Sequence, residues 1–130
     1  MAHFVDTNIV VYAFGPGLKA EPAIAVLSGA TISVQVLNEF ANVCLRKLHY
    51  NHSTLDLLIA EIRALVKIIE TIVEETHDLA REIAAHYMLG FYDSALVAAA
   101  LLAECDTFYS EDMQNGLVFE GQMRIVNPFS

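Results

Sequence analysis

Basic residues are scarce in this chain of 130 residues. Sixteen aspartates and glutamates outnumber seven lysines and arginines, which gives a formal net charge of −9. Because proteins contact nucleic-acid phosphates mainly with lysine and arginine, the sequence predicts no basic surface for such a partner. Two possibilities stay open: the partner is not a polyanion, or bound cations reverse the sign of the charge at the site.

Long hydrophobic runs are also absent. The longest run, from Ala95 to Ala103, is about half the length of the roughly 18 residues that a membrane span needs. Hydrophobic residues nevertheless make up 55% of the chain, above the roughly 45–50% that is usual. We therefore expect no membrane segment, and we expect the surplus apolar surface to meet a partner or a second copy of the chain.

Cysteines are few and signal-peptide features are lacking. Cys44 and Cys105 lie far apart within apolar helical patterns, which favours two buried free thiols. The first three residues, Met1 to His3, lack the basic and apolar regions of a secretory signal. A cytoplasmic protein is expected.

Short β-branched runs alternate with longer amphipathic patterns along the chain. Strands are predicted at residues 3–5, 30–33, 67–72, 107–110 and 124–126. Helices are predicted at residues 7–14, 21–27, 34–49, 53–66, 76–89 and 93–105, with Ser33 and Ser53 as N-caps. This alternation predicts one α/β domain over residues 1–130, with a parallel sheet covered by helices on both faces.

Three aspartates occur where predicted elements begin or end. Asp6 and Asp112 follow the first and fourth strands, and Asp93 opens a helix. Ligands of open α/β sheets bind at the carboxyl ends of strands, so an acid there suits chemistry. All three aspartates are equally compatible with a purely structural role as helix N-caps.

Glu39 is different because it lies about one and a half turns inside a predicted helix. Its side chain is either a solvated flank or points back over the strand ends towards Asp6. In the second case four carboxylates gather at one sheet edge, and they cannot all stay ionised without a cation. Oxygen ligands suit Mg²⁺ or Mn²⁺, which could lower the pKa of a water and hold a scissile phosphate.

Five further residues are candidates for supporting roles. Thr7, Asn8 and Ser110 could orient the ligands or waters of such a site. Arg46 and Lys47 could form a rim that contacts substrate phosphates, or they could simply be the basic end of a helix, which the helix dipole favours.

Five segments together resemble the PIN-domain family. They are FVDTN (4–8), VLNEF (36–40), YDSAL (92–96), YSEDMQ (109–114) and the closing NPF (127–129). The likeness covers nearly the whole chain, and a PIN protein of this size is most similar to the VapC-type toxins of bacterial toxin–antitoxin pairs.

The resemblance implies a Mg²⁺- or Mn²⁺-dependent ribonuclease with a three-layer α/β/α fold and a central, mainly parallel sheet. It implies that Asp6, Glu39, Asp93 and Asp112 are catalytic, with Asp6, Asp93 and Asp112 as the metal ligands. It also implies a cognate antitoxin and a homodimer.

One position departs from the pattern of the family. Many relatives carry another acid near position 115, where this chain has Asn115. A second metal would then bind weakly or only with substrate, unless Glu111 takes the place of the missing acid.

The hypothesis is therefore metal-dependent hydrolysis of RNA phosphodiester bonds by the toxin of a type II toxin–antitoxin pair. The alternative is a catalytically weak PIN-like interaction module whose acidic face binds a basic segment of a partner. A phosphate-accepting receiver domain would need a basic residue after a late strand, but Val126 is followed by asparagine and proline. A nucleotide-binding Rossmann enzyme would need a glycine-rich turn after the first strand, which is also missing.

Overall fold

The computed structural model describes residues 2–130, in which six strands and six helices share one sheet-centred architecture. The strands are β1 (His3–Val5), β2 (Thr31–Ser33), β3 (Ile68–Glu70), β4 (Thr107–Tyr109), β5 (Val118–Phe119) and β6 (Met123–Val126). The helices are α1 (Thr7–Ala13), α2 (Ala20–Leu27), α3 (Val34–Arg46), α4 (His52–Leu65), α5 (Glu74–Tyr87) and α6 (Phe91–Leu102).

The sheet has the strand order β3-β2-β1-β4-β6-β5, and only β5 runs antiparallel to its neighbour. β1 lies inside the sheet, where Phe4 is opposite Thr31 on one side and Phe108 on the other. Both phenylalanines are fully buried and their rings stack at 5.1 Å, and each buried side chain contributes roughly 1.5–3 kcal/mol. The predicted three-layer α/β/α fold is confirmed.

Helix α6 is the most completely buried helix of the fold. Its residues from Leu96 to Ala100 are all at most 4% exposed, and their small side chains allow close packing against β2 and α5. Helices α1, α2, α3 and α4 contact one another in a second group. The carboxyl ends of the central strands therefore open between the two helix groups.

Several predicted helix boundaries were wrong by a few residues. Helix α3 ends at Arg46 instead of near His49, because His49 has a φ of 56°, which a right-handed helix cannot contain. Helix α4 begins one residue before the predicted cap Ser53. Asn51 is the cap instead, since its Oδ1 accepts a hydrogen bond from Thr54 N at 2.8 Å.

Two other helices begin earlier than predicted. Helix α5 begins at Glu74, two residues before Thr76, and α6 begins at Phe91, two residues before Asp93, with Gly90 as its N-cap. The two-residue strand β5 was missed because it is too short to show a period of two.

Two expectations from composition concern the cysteines and the lack of a membrane segment. Cys44 and Cys105 are both buried and free, as predicted. Across residues 2–130 no single helix is long and apolar enough to cross a membrane, and α5 with α6 reaches that threshold only as a pair bent by 117°.

Candidate active site

The side-by-side ends of β1 and β4 position the first candidate acid. Val5 lies opposite Tyr109 in the parallel ladder, and Asp6 N continues it with a 3.0 Å hydrogen bond to Tyr109 O. The residues that follow Val5 and Tyr109 are Asp6 and Ser110, and Ser110 Oγ donates to Asp6 Oδ2 at 2.9 Å. The strand register itself therefore brings the two side chains together across 104 residues of sequence.

Asp6 is at once a helix cap and a buried acid. Its Oδ1 accepts a hydrogen bond from Thr7 N at 2.7 Å, which caps α1. The residue is only 7% exposed, and burial raises the pKa of its carboxyl to about 6, although the hydrogen bonds from Ser110 and Thr7 act to lower it. The charges of Asp93 and Glu39 raise it further.

Glu39 points towards the start of α1 instead of into open solvent. Thr7 Oγ1 donates to Glu39 Oε1 at 2.7 Å, and Gln35 Nε2 donates to Glu39 Oε2 at 3.1 Å from one turn earlier on α3. Glu39 is half-buried, and these hydrogen bonds favour the second interpretation, in which its side chain reaches back towards Asp6. Gln35 was not among the sequence candidates, and its only signal there was its position four residues before an acid.

Asp112 lies in the loop after β4 and is bound by Asn8. Asn8 Nδ2 donates to Asp112 Oδ2 at 2.5 Å, and both residues are exposed. No helix follows Asp112 in the described part of the chain, so the alternative role as an N-cap is wrong for this residue.

Asp93 is the third residue of α6, so it is not an N-cap either. Partial burial of its carboxyl raises its pKa, and the charges of Glu39 and Asp112 raise it further. Together with the influence of Asp93 and Glu39 on Asp6, this links all four candidate acids electrostatically. The structure thus brings them into one region at the carboxyl edge of the sheet.

The four carboxylates have the chemistry of a divalent-cation site without the compact geometry of one. Within residues 2–130 no three His, Cys, Asp or Glu side chains are close enough to hold one ion. The ion pair found in the same range, Lys19 with Glu111, involves none of the four acids. Neighbouring carboxylates that raise the pKa values of Asp6 and Asp93 and have no basic partner within the described residues fit a hard cation, provided that they move closer together.

Glu111, the possible substitute for the missing acid, is bound by two residues outside the group of four acids. Tyr12 Oη donates to Glu111 Oε1 at 2.7 Å, and Lys19 Nζ donates to Oε2. These two partners hold the pKa of Glu111 below its usual value. Lys19 also lies over the rings of Tyr12 and Phe129, at 4.7 and 5.3 Å.

Asn115 has a structural contact at the position where an acid was expected. Its Oδ1 accepts a hydrogen bond from Asn127 N at 2.9 Å, so the side chain stabilises the segment that follows β6. An aspartate would accept the same hydrogen bond, and the departure from the family pattern therefore removes a charge while keeping the contact.

The two candidate basic residues lie at the far end of α3. Arg46 is the last residue of the helix and Lys47 is its C-cap, and both are exposed. Seven residues separate Glu39 from Arg46, which corresponds to about 10 Å along the helix axis. The structure therefore places them along the same helix as Glu39 without joining them to the carboxylates.

A family model described as PIN domain matches residues 3–114 of the sequence. This range includes all four candidate acids, Asp6, Glu39, Asp93 and Asp112. None of the curated proteins matches the chain.

Several solved structures share the fold. A toxin–antitoxin complex from Klebsiella pneumoniae is 25% identical, with a TM-score of 0.68 and 98% of each chain covered. VapC20 of Mycobacterium tuberculosis, described as a toxin that cleaves the sarcin–ricin loop, is 19% identical, with a TM-score of 0.67 and coverage of 85% of this chain and 90% of that one. VapBC2 of Rickettsia felis, solved with a DNA fragment from its promoter, is 16% identical, with a TM-score of 0.68 and 98% of each chain covered.

Proposed function

Because the chain belongs to the PIN-domain family, whose members are generally nucleases that use divalent metal ions, we propose that it hydrolyses RNA phosphodiester bonds. Mg²⁺ or Mn²⁺ is the proposed cofactor, and the proposed setting is the toxin of a type II toxin–antitoxin pair. The observation that carries this proposal is the electrostatic linkage of Asp6, Glu39, Asp93 and Asp112 at one edge of the sheet.

Three of the four proposed catalytic residues, Asp6, Glu39 and Asp112, have side-chain contacts that support a role for each. Asp6, Asp93 and Asp112 would hold the ion, which when bound lowers the pKa of a water and neutralises charge on the scissile phosphate. Ser110 and Thr7 N orient the two oxygens of Asp6, and Asn8 orients Asp112.

Glu39 would orient the attacking water near that ion. Thr7 and Gln35 each donate to one of its oxygens, so the carboxylate is held in one direction before substrate arrives. Arg46 and Lys47 would contact RNA phosphates farther along α3, where they would offset part of the net negative charge.

The proposed partners are an antitoxin and a second copy of the chain. Neighbours in fold include toxin–antitoxin complexes from two organisms, which supports an antitoxin as partner. Exposed leucines and methionines such as Leu18, Leu57 and Met88 offer apolar surface for both contacts. We further propose that residues 1–130 form a single domain that acts in the cytoplasm.

A cleavage assay on purified, antitoxin-free protein tests the proposal. A mixed RNA pool is incubated with Mg²⁺, with Mn²⁺ or with EDTA, beside the variants Asp6→Asn and Asp56→Asn. Asp56 is an exposed aspartate on α4 and serves as the matched control. We expect ion-dependent cleavage that Asp6→Asn abolishes and Asp56→Asn leaves intact; full cleavage by Asp6→Asn would contradict the assignment.

The alternative proposal is a PIN-like module that binds a basic segment of a partner without useful turnover. Asp93 and Asp112 are exposed, so a basic segment can reach them. This alternative is preferred if the folded protein cleaves no RNA with either ion. The two proposals therefore separate in the same assay, provided that circular dichroism shows the protein to be folded.

A further inference from the structure

A recess of about 190 Å³ borders the candidate active site, between the end of β2 and the helices α5 and α6. Gln35 lines this recess and also donates to Glu39. Tyr92 lines it as well and directly precedes Asp93 in α6. A molecule in the recess would therefore sit next to two of the four carboxylates.

Ser33, which lines the recess, has a buried hydroxyl without a hydrogen-bond partner. Ser33 is fully buried, and its Oγ makes no hydrogen bond within the described residues. Ser33 precedes α3 in the position of an N-cap, yet its side chain makes no capping bond. Since a buried hydroxyl without a hydrogen bond destabilises the protein, a polar atom that enters the recess would find a favourable contact there.

The rim of the recess carries aromatic rings that are open to solvent. Phe91 is 40% exposed and Tyr92 is 68% exposed. The ring of His77 lies 5.7 Å from that of Phe91. Rings exposed beside a nuclease site are surfaces on which nucleobases of single-stranded RNA stack.

A flat ring with a polar edge fits this combination better than an aliphatic group does. Its faces would contact the aromatic rim, and its edge would reach Ser33 and Gln35. An aliphatic side chain of a protein would fill the apolar walls but leave Ser33 Oγ unpaired. A nucleobase is also uncharged, so the neighbouring carboxylates do not repel it.

We propose that this recess seats one unstacked nucleobase of the RNA beside the scissile phosphate. Phe91 and Tyr92 stack on the base, while Ser33 and Gln35 bind its edge and so contribute to sequence preference. Because the Ser33 hydroxyl is fully enclosed, the base reaches it only when the exposed rim side chains of Phe91 and Tyr92 move aside. The inference rests on the proposed ribonuclease function and names a subsite of it.

Photocrosslinking tests where the base binds without relying on turnover. Single-stranded RNA that carries 4-thiouridine or 6-thioguanosine is mixed with the Asp6→Asn protein and Mg²⁺ and then irradiated. We expect mass spectrometry to find the crosslinks at Phe91, Tyr92 or His77. Crosslinks only at sites outside the recess would overturn the inference.

Steady-state cleavage kinetics on protein that retains Asp6 provide the second measurement. Phe91→Ala should raise KM about tenfold, the change expected for loss of one stacked base, whereas Ile24→Ala on α2, a side chain exposed to the same extent but outside the recess, should leave it unchanged. A substrate with an abasic nucleotide beside the cleaved bond should raise the KM of the wild type by the same factor. It should raise the KM of Phe91→Ala little further. Ser33→Ala should alter the ratio of kcat/KM between substrates that differ in this one base.

The outcomes separate failure of the subsite from failure of the proposed function. If the wild type cleaves RNA but neither Phe91→Ala nor the abasic substrate raises KM, the subsite is refuted and the nuclease stands. If Phe91→Ala changes only the oligomer mass measured by light scattering, the recess is a protein contact and the inference falls. If the folded wild type neither binds nor cleaves RNA, both proposals fail together.

Discussion

Ser110 and Asp6 lie side by side at the ends of two paired strands, and Ser110 Oγ both donates to Asp6 Oδ2 at 2.9 Å and accepts from Met113 N at 3.2 Å. The serine thereby connects a buried candidate acid to the loop that carries Asp112. Its hydrogen bond also lowers the pKa of Asp6 against the stronger, raising effect of burial. The contact supports the ionised form of Asp6, which a cation would need.

Replacing Ser110 with alanine should therefore weaken metal binding more than it weakens the fold. Without the hydroxyl the pKa of Asp6 rises above its present value of about 6, so a proton competes better with the ion. We expect Mn²⁺ affinity, measured by isothermal titration calorimetry, to fall about 10–100-fold. Ser110→Thr, which keeps a hydroxyl, is the control, and unchanged affinity in Ser110→Ala would contradict the prediction.

The buried Asp6 should make the metal-free protein less stable as the pH rises. Its pKa is about 6 in the folded protein against 3.8 as the ordinary value, so between pH 4 and pH 6 the folded state holds a proton that the unfolded state has released. The free energy of unfolding should fall through that window by about 3 kcal/mol. Asp6→Asn should accordingly be about 2–3 kcal/mol more stable than the wild type at pH 8 in EDTA.

Urea denaturation at pH 4 and pH 8 checks this prediction. Asn can still accept the capping hydrogen bond from Thr7 N through Oδ1, while its Nδ2 can donate to Ser110 Oγ in place of the hydrogen bond that Asp6 Oδ2 accepts. Asp56→Asn on the exposed face of α4 should show no such gain at pH 8. A variant Asp6→Asn that is less stable than the wild type at pH 8 would refute the prediction.

The adjacent acids Glu111 and Asp112 should behave in opposite ways when they are neutralised. Glu111 accepts hydrogen bonds from Tyr12 and Lys19, whereas Asp112 contributes to the raised pKa of Asp93. We expect Asp112→Asn to reduce RNA cleavage at least about 100-fold and Glu111→Gln to stay within about twofold of the wild type. Initial rates at saturating Mn²⁺ measure both, and equal losses would show that Glu111 belongs to the site.

Thr7 should affect turnover through Glu39. Thr7→Val removes the hydroxyl that donates to Glu39 Oε1 at 2.7 Å and keeps the branched shape and the backbone N–H that Asp6 caps. A lost hydrogen bond to a charged group is worth about 1.5–3 kcal/mol, so kcat should fall at least tenfold while KM changes little. Thr7→Ser should restore most of the rate, and a normal kcat in Thr7→Val would exclude a positioning role.

The sequence predicted the sheet and the gathering of acids because both follow from regular patterns. Hydrophobic runs identified the strands, and parallel topology required Asp6 and Ser110 to emerge at the same edge. The sequence could not decide between cap and site for the aspartates, since both roles use the same residue at an element boundary. The structure shows that Asp6 caps α1 while Asp93 and Asp112 cap nothing.

Other features of the site had no periodic signal to reveal them. The contact of Gln35 with Glu39 depends on side-chain directions on α3, and the ties of Glu111 to Lys19 and Tyr12 join distant parts of the chain. The unpaired hydroxyl of Ser33 arises because a residue in the capping position makes no capping hydrogen bond with its side chain. Such contacts follow from three-dimensional packing and cannot be read from spacing alone.

The four candidate acids come from four separate elements, and Asn8 reaches Asp112 across 104 residues. During translation the ribosome synthesises β1 and Asp6 before β4 and Asp112. An incomplete polypeptide therefore lacks both the strand that supports Asp6 and the carboxylate opposite Asn8. The four carboxylates can therefore come together only after β4 and Asp112 have been synthesised.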